Sequence, residues 1–398
     1  MNALRSVAAP ARAWSYPAVV SLLEFVHGGL LLVLLPVYLR SQLALPLGTV
    51  GLALSAYGLA DLALKVPAGW FVDRFGSRFA LLVASALSFL SLLALSQATA
   101  PWMIFLGCAI HGAGASPVWP AAVFGATARS KERGHVMGQI FTAWLGGTGL
   151  GAAFTAGLLV VGAREAFGLL GLAVLLAGVV TFVAAPTGRA GSSHAVALPQ
   201  AAAAARVVVR RLHLLAVGMF LQTFAGGMLV PVLTPYARDV LHLTRVELIV
   251  LLTAGPGLAV LLLIPLGRLA DRLGPLRVVG GGVLLAPLVL WTVPACGVVW
   301  CLAPLTAALA AGYALVLPAW NAVLLDRVPQ QGRGTILGLI MALEGLGAAL
   351  GPTAGGWIAD VQGLAAPFRS AAVVFGVAAI IFHLWWRVGS GRRAHAVP

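Results

Sequence analysis

Apolar runs of 18 residues or more recur from one end of this 398-residue chain to the other. A soluble fold of this size has no core large enough to bury them all. In a bilayer each run is long enough to cross as an α-helix, which satisfies every backbone N–H and C=O within its own segment. A transmembrane barrel would instead show alternating strands of about ten residues. Composition agrees: 61% of residues are hydrophobic and 9% charged, with a mean hydropathy of +1.00, well outside the soluble range. Spans are expected at 15–39, 48–71, 79–99, 102–127, 136–161, 166–185, 212–237, 246–268, 278–298, 299–325, 334–360 and 368–387. The fold class is therefore all-α and integral to the membrane, with twelve transmembrane helices. Basic residues precede the first apolar run, but Glu24 interrupts it and eleven spans follow, so it reads as an uncleaved first helix rather than a signal peptide.

The net charge of +14 raises the question of a nucleic-acid partner, and its distribution answers it. Lys and Arg gather in alternate loops, at "DRFGSR", "RSKERGH", "RVVVRR", "DRLGPLR" and "DRVPQQGR", and at both termini. The positive-inside rule then places both termini and these loops in the cytoplasm of a multi-pass cell-membrane protein. Contact with anionic membrane lipids follows from the same charges, and no nucleic acid is implied. Cys108, Cys296 and Cys301 are an odd number at or within spans, and they supply neither a disulfide framework nor metal-ligand spacing.

Sliding the chain on itself by 198 residues lays "GWFVDRFGSR" (69–78) on "GRLADRLGPL" (267–276), and pairs Tyr38 with Tyr236, Pro67 with Pro265 and Pro120 with Pro318. A shift of 200 lays "RGHVMG" (133–138) on "RGTILG" (333–338). The chain thus reads as a six-helix bundle over 1–185, a cytoplasmic linker over 186–211 and a second six-helix bundle over 212–398. Parallel repeats of this kind are the architecture of transporters that bind at the midplane between rocking halves.

"GWFVDRFGSR" resembles the signature loop of the major facilitator superfamily, with a degenerate copy where that family places one. The resemblance covers the whole chain in span number, repeat and loop length. It implies a charge network that latches the cytoplasmic side, with Gly69, Asp73, Arg74, Gly76 and Arg78, and Asp271 and Arg272 in the second copy, as gating candidates. The residues offer their own reasons. Gly69 would let another helix approach the end of the second span, Gly76 would serve the turn, and Asp73 would cap the start of the third helix.

Ionisable residues inside a membrane are costly and by default mark function. Glu24 and His27 lie in the first helix, Asp61 and Lys65 in the second, His111 in the fourth and Glu344 in the eleventh. At about 1.5 Å per residue, Glu24 sits roughly 13 Å and Asp61 roughly 16 Å from the cytoplasmic ends of their helices. They share a level. Lys65 follows Asp61 by four residues and can pair with it, while His27 follows Glu24 by three. Desolvation favours the neutral form of a carboxyl, so Glu24 or Asp61 can bind and release a proton, with His27 and Lys65 tuning them. A static Asp61–Lys65 pair tying helices together is the structural alternative.

Trp119 and Trp144 lie too deep for an interfacial belt and could line a cavity or simply pack. The 198 shift carries Glu24 to Gln222 and leaves no counterpart for Asp61 or Lys65. Gln222, Asn321 and Glu344 are the candidate substrate contacts of the second half, beside His111, Trp119 and Trp144 in the first. A pocket polar on one side and apolar on the other suits an amphiphile.

Within the superfamily the chain is similar to the drug and proton antiporters, with two departures. "GAALGPTAGG" (347–356) carries their small-residue motif on the eleventh helix rather than the fifth, and "CAIHG" (108–112) lacks their fourth-helix arginine. It resembles more closely the glycolipid flippases that move the lipoteichoic-acid anchor in Gram-positive bacteria. On that resemblance Glu24, Asp61, Trp119 and Trp144 match functional positions, while His27 replaces an arginine. The implied activity is proton-coupled transport of an amphipathic or lipid-like substrate by alternating access. Its partners are protons, that substrate and membrane lipids, and the working unit is a monomer. A multidrug or small-metabolite antiporter is the alternative. An enzyme is not expected, because the histidines have no acid or metal ligand at useful spacing, and no cofactor or metal is implied.

Overall fold

The structure, a computed structural model, describes residues 14–127, 133–159, 161–186, 206, 212–327 and 333–394. In chain order these form α1 (Ser15–Ser41), α2 (Leu47–Phe75), α3 (Ser77–Ser96), α4 in two pieces (Pro101–Ala115 and Val118–Thr127), α5 (Arg133–Leu158) and α6 (Ala163–Ala184). They continue as α7 (His213–Val240), α8 (Arg245–Leu273), α9 (Pro275–Ala295), α10 (Val299–Arg327), α11 (Arg333–Gln362) and α12 (Ala366–Ala394). Nine of these twelve segments are long and apolar enough, by length and composition alone, to cross a membrane. The other three are the broken α4 and the glycine-rich α5 and α11.

Contacts divide the chain into two units: residues 1–45, 52–195 and 244–253, and residues 46–51, 196–243 and 254–398. The expected linker, 186–211, lies outside the described residues except for 186 and 206. In the first unit a core of Val19, Val20, Leu23, Leu81, Ala84, Ala121 and Ile140 joins α1, α3, α4 and α5. In the second unit Leu215, Met219, Val279, Val323, Ile340 and Phe382 do the same for α7, α9, α10, α11 and α12. Also in the second unit, the backbone N–H groups of Leu47 and Gly48 donate to Asp360, at 2.9 Å and 2.7 Å. A carboxylate on the orphan donors of a helix start stabilises that end.

The duplication is written into the backbone as well as the sequence. Gly76 and Gly274, 198 residues apart, join α2 to α3 and α8 to α9 with φ of 87° and 93°, a region that a side chain with Cβ resists. Ala44 and His242, also 198 apart, both hold φ of 49°. Beside them the N–H of Leu45 bonds to the Leu39 carbonyl at 3.1 Å and that of Leu243 to the Ala237 carbonyl at 3.0 Å. Each unit also carries a π-helical stretch in its first helix, Gly28–Leu34 in α1 and Tyr236–Val240 in α7.

The closest packing is α1 on α5 and α7 on α11. A Cβ at Gly147 would overlap the Ser21 carbonyl and one at Gly151 the Phe25 carbonyl, while Gly347 and Gly351 stand the same way against Phe220 and Phe224. Lipid tails leave no hydrophobic drive between helices, so glycines that let backbones meet are what van der Waals attraction requires.

Three expectations need correction. A Cβ at Gly69 would meet nothing within 4 Å among the described residues, so none of their helices approaches closely there. Asp73 lies in the last turn of α2, which runs on to Phe75, and the N-cap of α3 is Gly76 without a side-chain cap. The sequence places the bend at the right glycine, but the single-residue turn leaves Asp73 on the preceding helix. Finally, Cys296 and Cys301 form a disulfide, with Cα atoms 5.6 Å apart, and Cys108 stays buried and free. The two cysteines fall in separate predicted spans, and the short α9–α10 turn brings them together.

Alanine substitutions separate close approach from mere flexibility. Gly151→Ala and Gly351→Ala should each destabilise by about 1–3 kcal/mol through overpacking and lower the thermal unfolding midpoint in detergent. Gly69→Ala, with open space around its Cβ, should leave that midpoint unchanged.

Candidate proton and substrate site

Glu24 occupies the middle of α1, one turn before the π-helical stretch that follows His27. The glycine contact with α5 brings Thr148 beside it. The Thr148 Oγ1 lies 3.3 Å from Glu24 Oε2 and 2.9 Å from the carbonyl oxygen of Trp144, and the Trp144 side chain also hydrogen-bonds Glu24. A hydroxyl has one proton to give and lone pairs to offer. With Glu24 ionised, Thr148 can turn its O–H to the carboxylate. With Glu24 protonated, the acid O–H can donate to Thr148 while Thr148 donates to Trp144. The indole N–H serves both states, so neither form of Glu24 leaves a buried polar atom stranded.

Asp61 faces the same neighbourhood from α2. It pairs with Lys65 one turn on, at 2.8 Å and 2.9 Å to its two oxygens, and both lie close enough to Glu24 to act on it electrostatically. The Lys65 side chain is 46% exposed and that of Asp61 20%, so the pair is reachable from outside the packed interior.

His27 points to α2, where Tyr57 Oη lies 2.9 Å from its Nδ1. His111 comes in from α4, its ring centroid 5.5 Å from that of Tyr57 and 6.3 Å from that of His27. This approach depends on Gly112, whose missing Cβ would otherwise overlap the Tyr57 carbonyl. Glu24, His27, Ser88 and His111, with Leu23, Ala115 and Val118, line a small cavity with about 20 Å³ of room for a water centre. That is space for one water. Trp119 and Trp144 pack edge to face at 6.5 Å, with Phe141 completing the aromatic group at 5.2 Å and 6.3 Å. They are half-buried against the core of the first unit.

In the second unit Glu344 lies half-buried on α11, with the Tyr313 side chain of α10 near enough to feel its charge. Its backbone carbonyl accepts the Thr223 hydroxyl at 2.6 Å. Gln222 is half-buried on α7, next to that threonine. Asn321 belongs to α10 and Asp271 to α8, but their side chains lie outside the described part of the structure. Of the gating candidates, Arg74 lies 5.6 Å from the Trp70 ring and 5.7 Å from the Phe75 ring. Arg78 donates to the Phe182 carbonyl and lies 5.1 Å from its ring. Arg272 is exposed near the end of α8, which Gly274 separates from α9.

The structure therefore brings Glu24, His27, Asp61, Lys65, His111 and Trp144 into one region of the first unit. Three members carry no charge and were not singled out in the sequence: Tyr57, Ser88 and Thr148. Tyr57 precedes Asp61 by one helical turn, and that spacing was the available signal.

The Major Facilitator Superfamily sequence model matches residues 18–221 and 215–397. The chain is 25% identical over 377 residues to the proton-coupled antiporter flippase LtaA of Staphylococcus saprophyticus, covering 92% of each. Against the protein of that name from Staphylococcus aureus it is 26% identical over 372 residues, again covering 92% of each. Among solved structures, the nucleoside transporter NupG superposes with a TM-score of 0.76 at 13% identity, covering 94% of this chain and 98% of that one. A bacterial homologue of the human lysosomal transporter Spinster gives 0.76 at 16% identity, covering 94% and 96%. At such identities the likeness is one of fold. With both halves matched by the family's sequence model, the chain belongs to the Major Facilitator Superfamily.

Proposed function

We propose that this chain is a proton-coupled secondary active transporter. It moves an amphipathic, glycolipid-like substrate across the cytoplasmic membrane by alternating access between halves at 1–185 and 212–398. The observation that carries the coupling is Glu24, a carboxyl inside a span whose neighbours Thr148 and Trp144 can satisfy it with or without its proton. A proton carrier has to be stable in both states, and a carboxyl held only as an anion or only as an acid would not cycle. Asp61, paired with Lys65, is the second carboxylate, and its protonation would release Lys65. The name carried by the flippase relatives supports a lipid-like substrate, as does the aromatic group of Trp119, Phe141 and Trp144, whose faces suit the rings of a sugar head group. Asp73, Arg74 and Arg78 belong to the cytoplasmic gate in this reading, with both termini on the same side.

Purified protein in liposomes, with a fluorescent glycolipid and an imposed pH gradient, tests the function. Wild type should translocate the lipid faster with the gradient than without it. Glu24→Gln and Asp61→Asn should each reduce the gradient-driven part by at least about tenfold, the lower range of what a lost proton-transfer group costs. Gradient-indifferent wild type, or variants that behave as wild type, would remove the coupling. Transport of cationic dyes with no movement of the lipid would favour a drug antiporter.

The orientation can be read from the disulfide. With the termini in the cytoplasm, Cys296–Cys301 faces the outside, so a membrane-impermeant maleimide should label intact cells only after an impermeant reductant is added. Labelling confined to inverted vesicles would reverse the topology.

A further inference from the structure

The His27–Tyr57–His111 group has no part in the two-state argument for Glu24, yet it lies against it. The Tyr57 hydroxyl oxygen lies 2.9 Å from His27 Nδ1, and Tyr57 sits on α2 one turn before Asp61. It thus touches the α1 side of the site while belonging to the helix that carries the second carboxylate. His111 is 3% exposed, and its Nδ1 has no hydrogen-bond partner among the described residues. A buried imidazole nitrogen without a partner is rare, because desolvating it without a bond costs stability. The cavity beside it is lined by Glu24, His27, Ser88 and His111, all polar groups of the kind a bound water needs.

We propose that Tyr57 is a positioning residue for coupling: its hydroxyl holds His27 as the Nε2–H tautomer, and a water bound between Glu24, His27, Ser88 and His111 links that imidazole to the coupling carboxyl. This rests on the coupling role of Glu24. With Tyr57 donating to Nδ1, the only ring proton of neutral His27 is on Nε2. The same water can donate to the free Nδ1 of His111, which fixes its place between the imidazoles and the carboxyl. The groups that bear on His27 are Glu24 on its own helix, Tyr57 and Lys65 on α2, and His111 on α4, while Asp61 bears on Tyr57. Thr148 and Trp144 on α5 complete the shell around Glu24 without titrating. Tyr57 therefore decides which nitrogen of His27 carries the proton, and through it the pH at which the site exchanges its own.

Tyr57→Phe keeps the ring and removes only the hydroxyl. In full-length protein carrying ¹⁵N-labelled histidine, the His27 resonances should report a single Nε2–H tautomer in wild type and a mixture in Tyr57→Phe. In liposomes the variant should lose about tenfold in gradient-driven transport and show a displaced pH profile. Unchanged His27 resonances, or a loss of driven transport with an unchanged pH profile, would each overturn the proposal, the second by showing a purely structural role. If wild type itself ignores the gradient, the coupling reading fails and this proposal with it. Altered resonances together with normal coupling in Tyr57→Phe would overturn this proposal alone.

Discussion

Backbone contact between α1 and α5, with its counterpart between α7 and α11, is the constraint on which the rest of this structure depends. A bilayer satisfies hydrogen bonds only within helices and offers no hydrophobic drive to pack one against another. Glycine at 147, 151, 347 and 351 removes the side chains that would hold those helices apart. Once α5 meets α1 at that distance, Thr148 and Trp144 necessarily stand beside Glu24. The site is thus a product of the packing rather than an addition to it.

That packing explains how a carboxyl can be tolerated inside a span. A buried charge usually requires a fixed counter-charge, and a fixed counter-charge would lock it ionised. Glu24 instead has a hydroxyl that can donate or accept and an indole that donates to either form. Lys65 pairs with Asp61, at 2.8 Å on the same helix. The two halves share one scaffold but not one chemistry. At the positions matching Asp61 and Lys65 the second half has Ala259 and Leu263, and its own carboxyl, Glu344, stands where the repeat puts Trp144.

Much of this was legible in the sequence, for physical reasons. Spans are legible because hydropathy over some twenty residues is what the bilayer selects. The repeat is legible because Gly76 and Gly274 must both adopt positive φ, which few other residues allow. Charges such as Glu24, Asp61 and Lys65 stand out against an apolar background, and i+4 spacing foretold the Asp61–Lys65 pair. What stayed hidden carries no charge or depends on turn geometry. Tyr57, Ser88 and Thr148 look like ordinary helix residues until another helix arrives. Gly69 shows the opposite error, a motif glycine with no close neighbour. Cys296 and Cys301 looked unpaired because their span boundaries were drawn between them, when the turn there is tight enough to bridge.

The central claim is that substrate movement and proton movement are one event at Glu24. A pH-sensitive dye trapped inside liposomes, with a lipid substrate gradient and no initial pH gradient, reads it directly. Substrate-dependent pH change in wild type and its loss in Glu24→Gln is the result this account predicts. Substrate translocation with no pH change in wild type, or an equal pH change in Glu24→Gln, would contradict it.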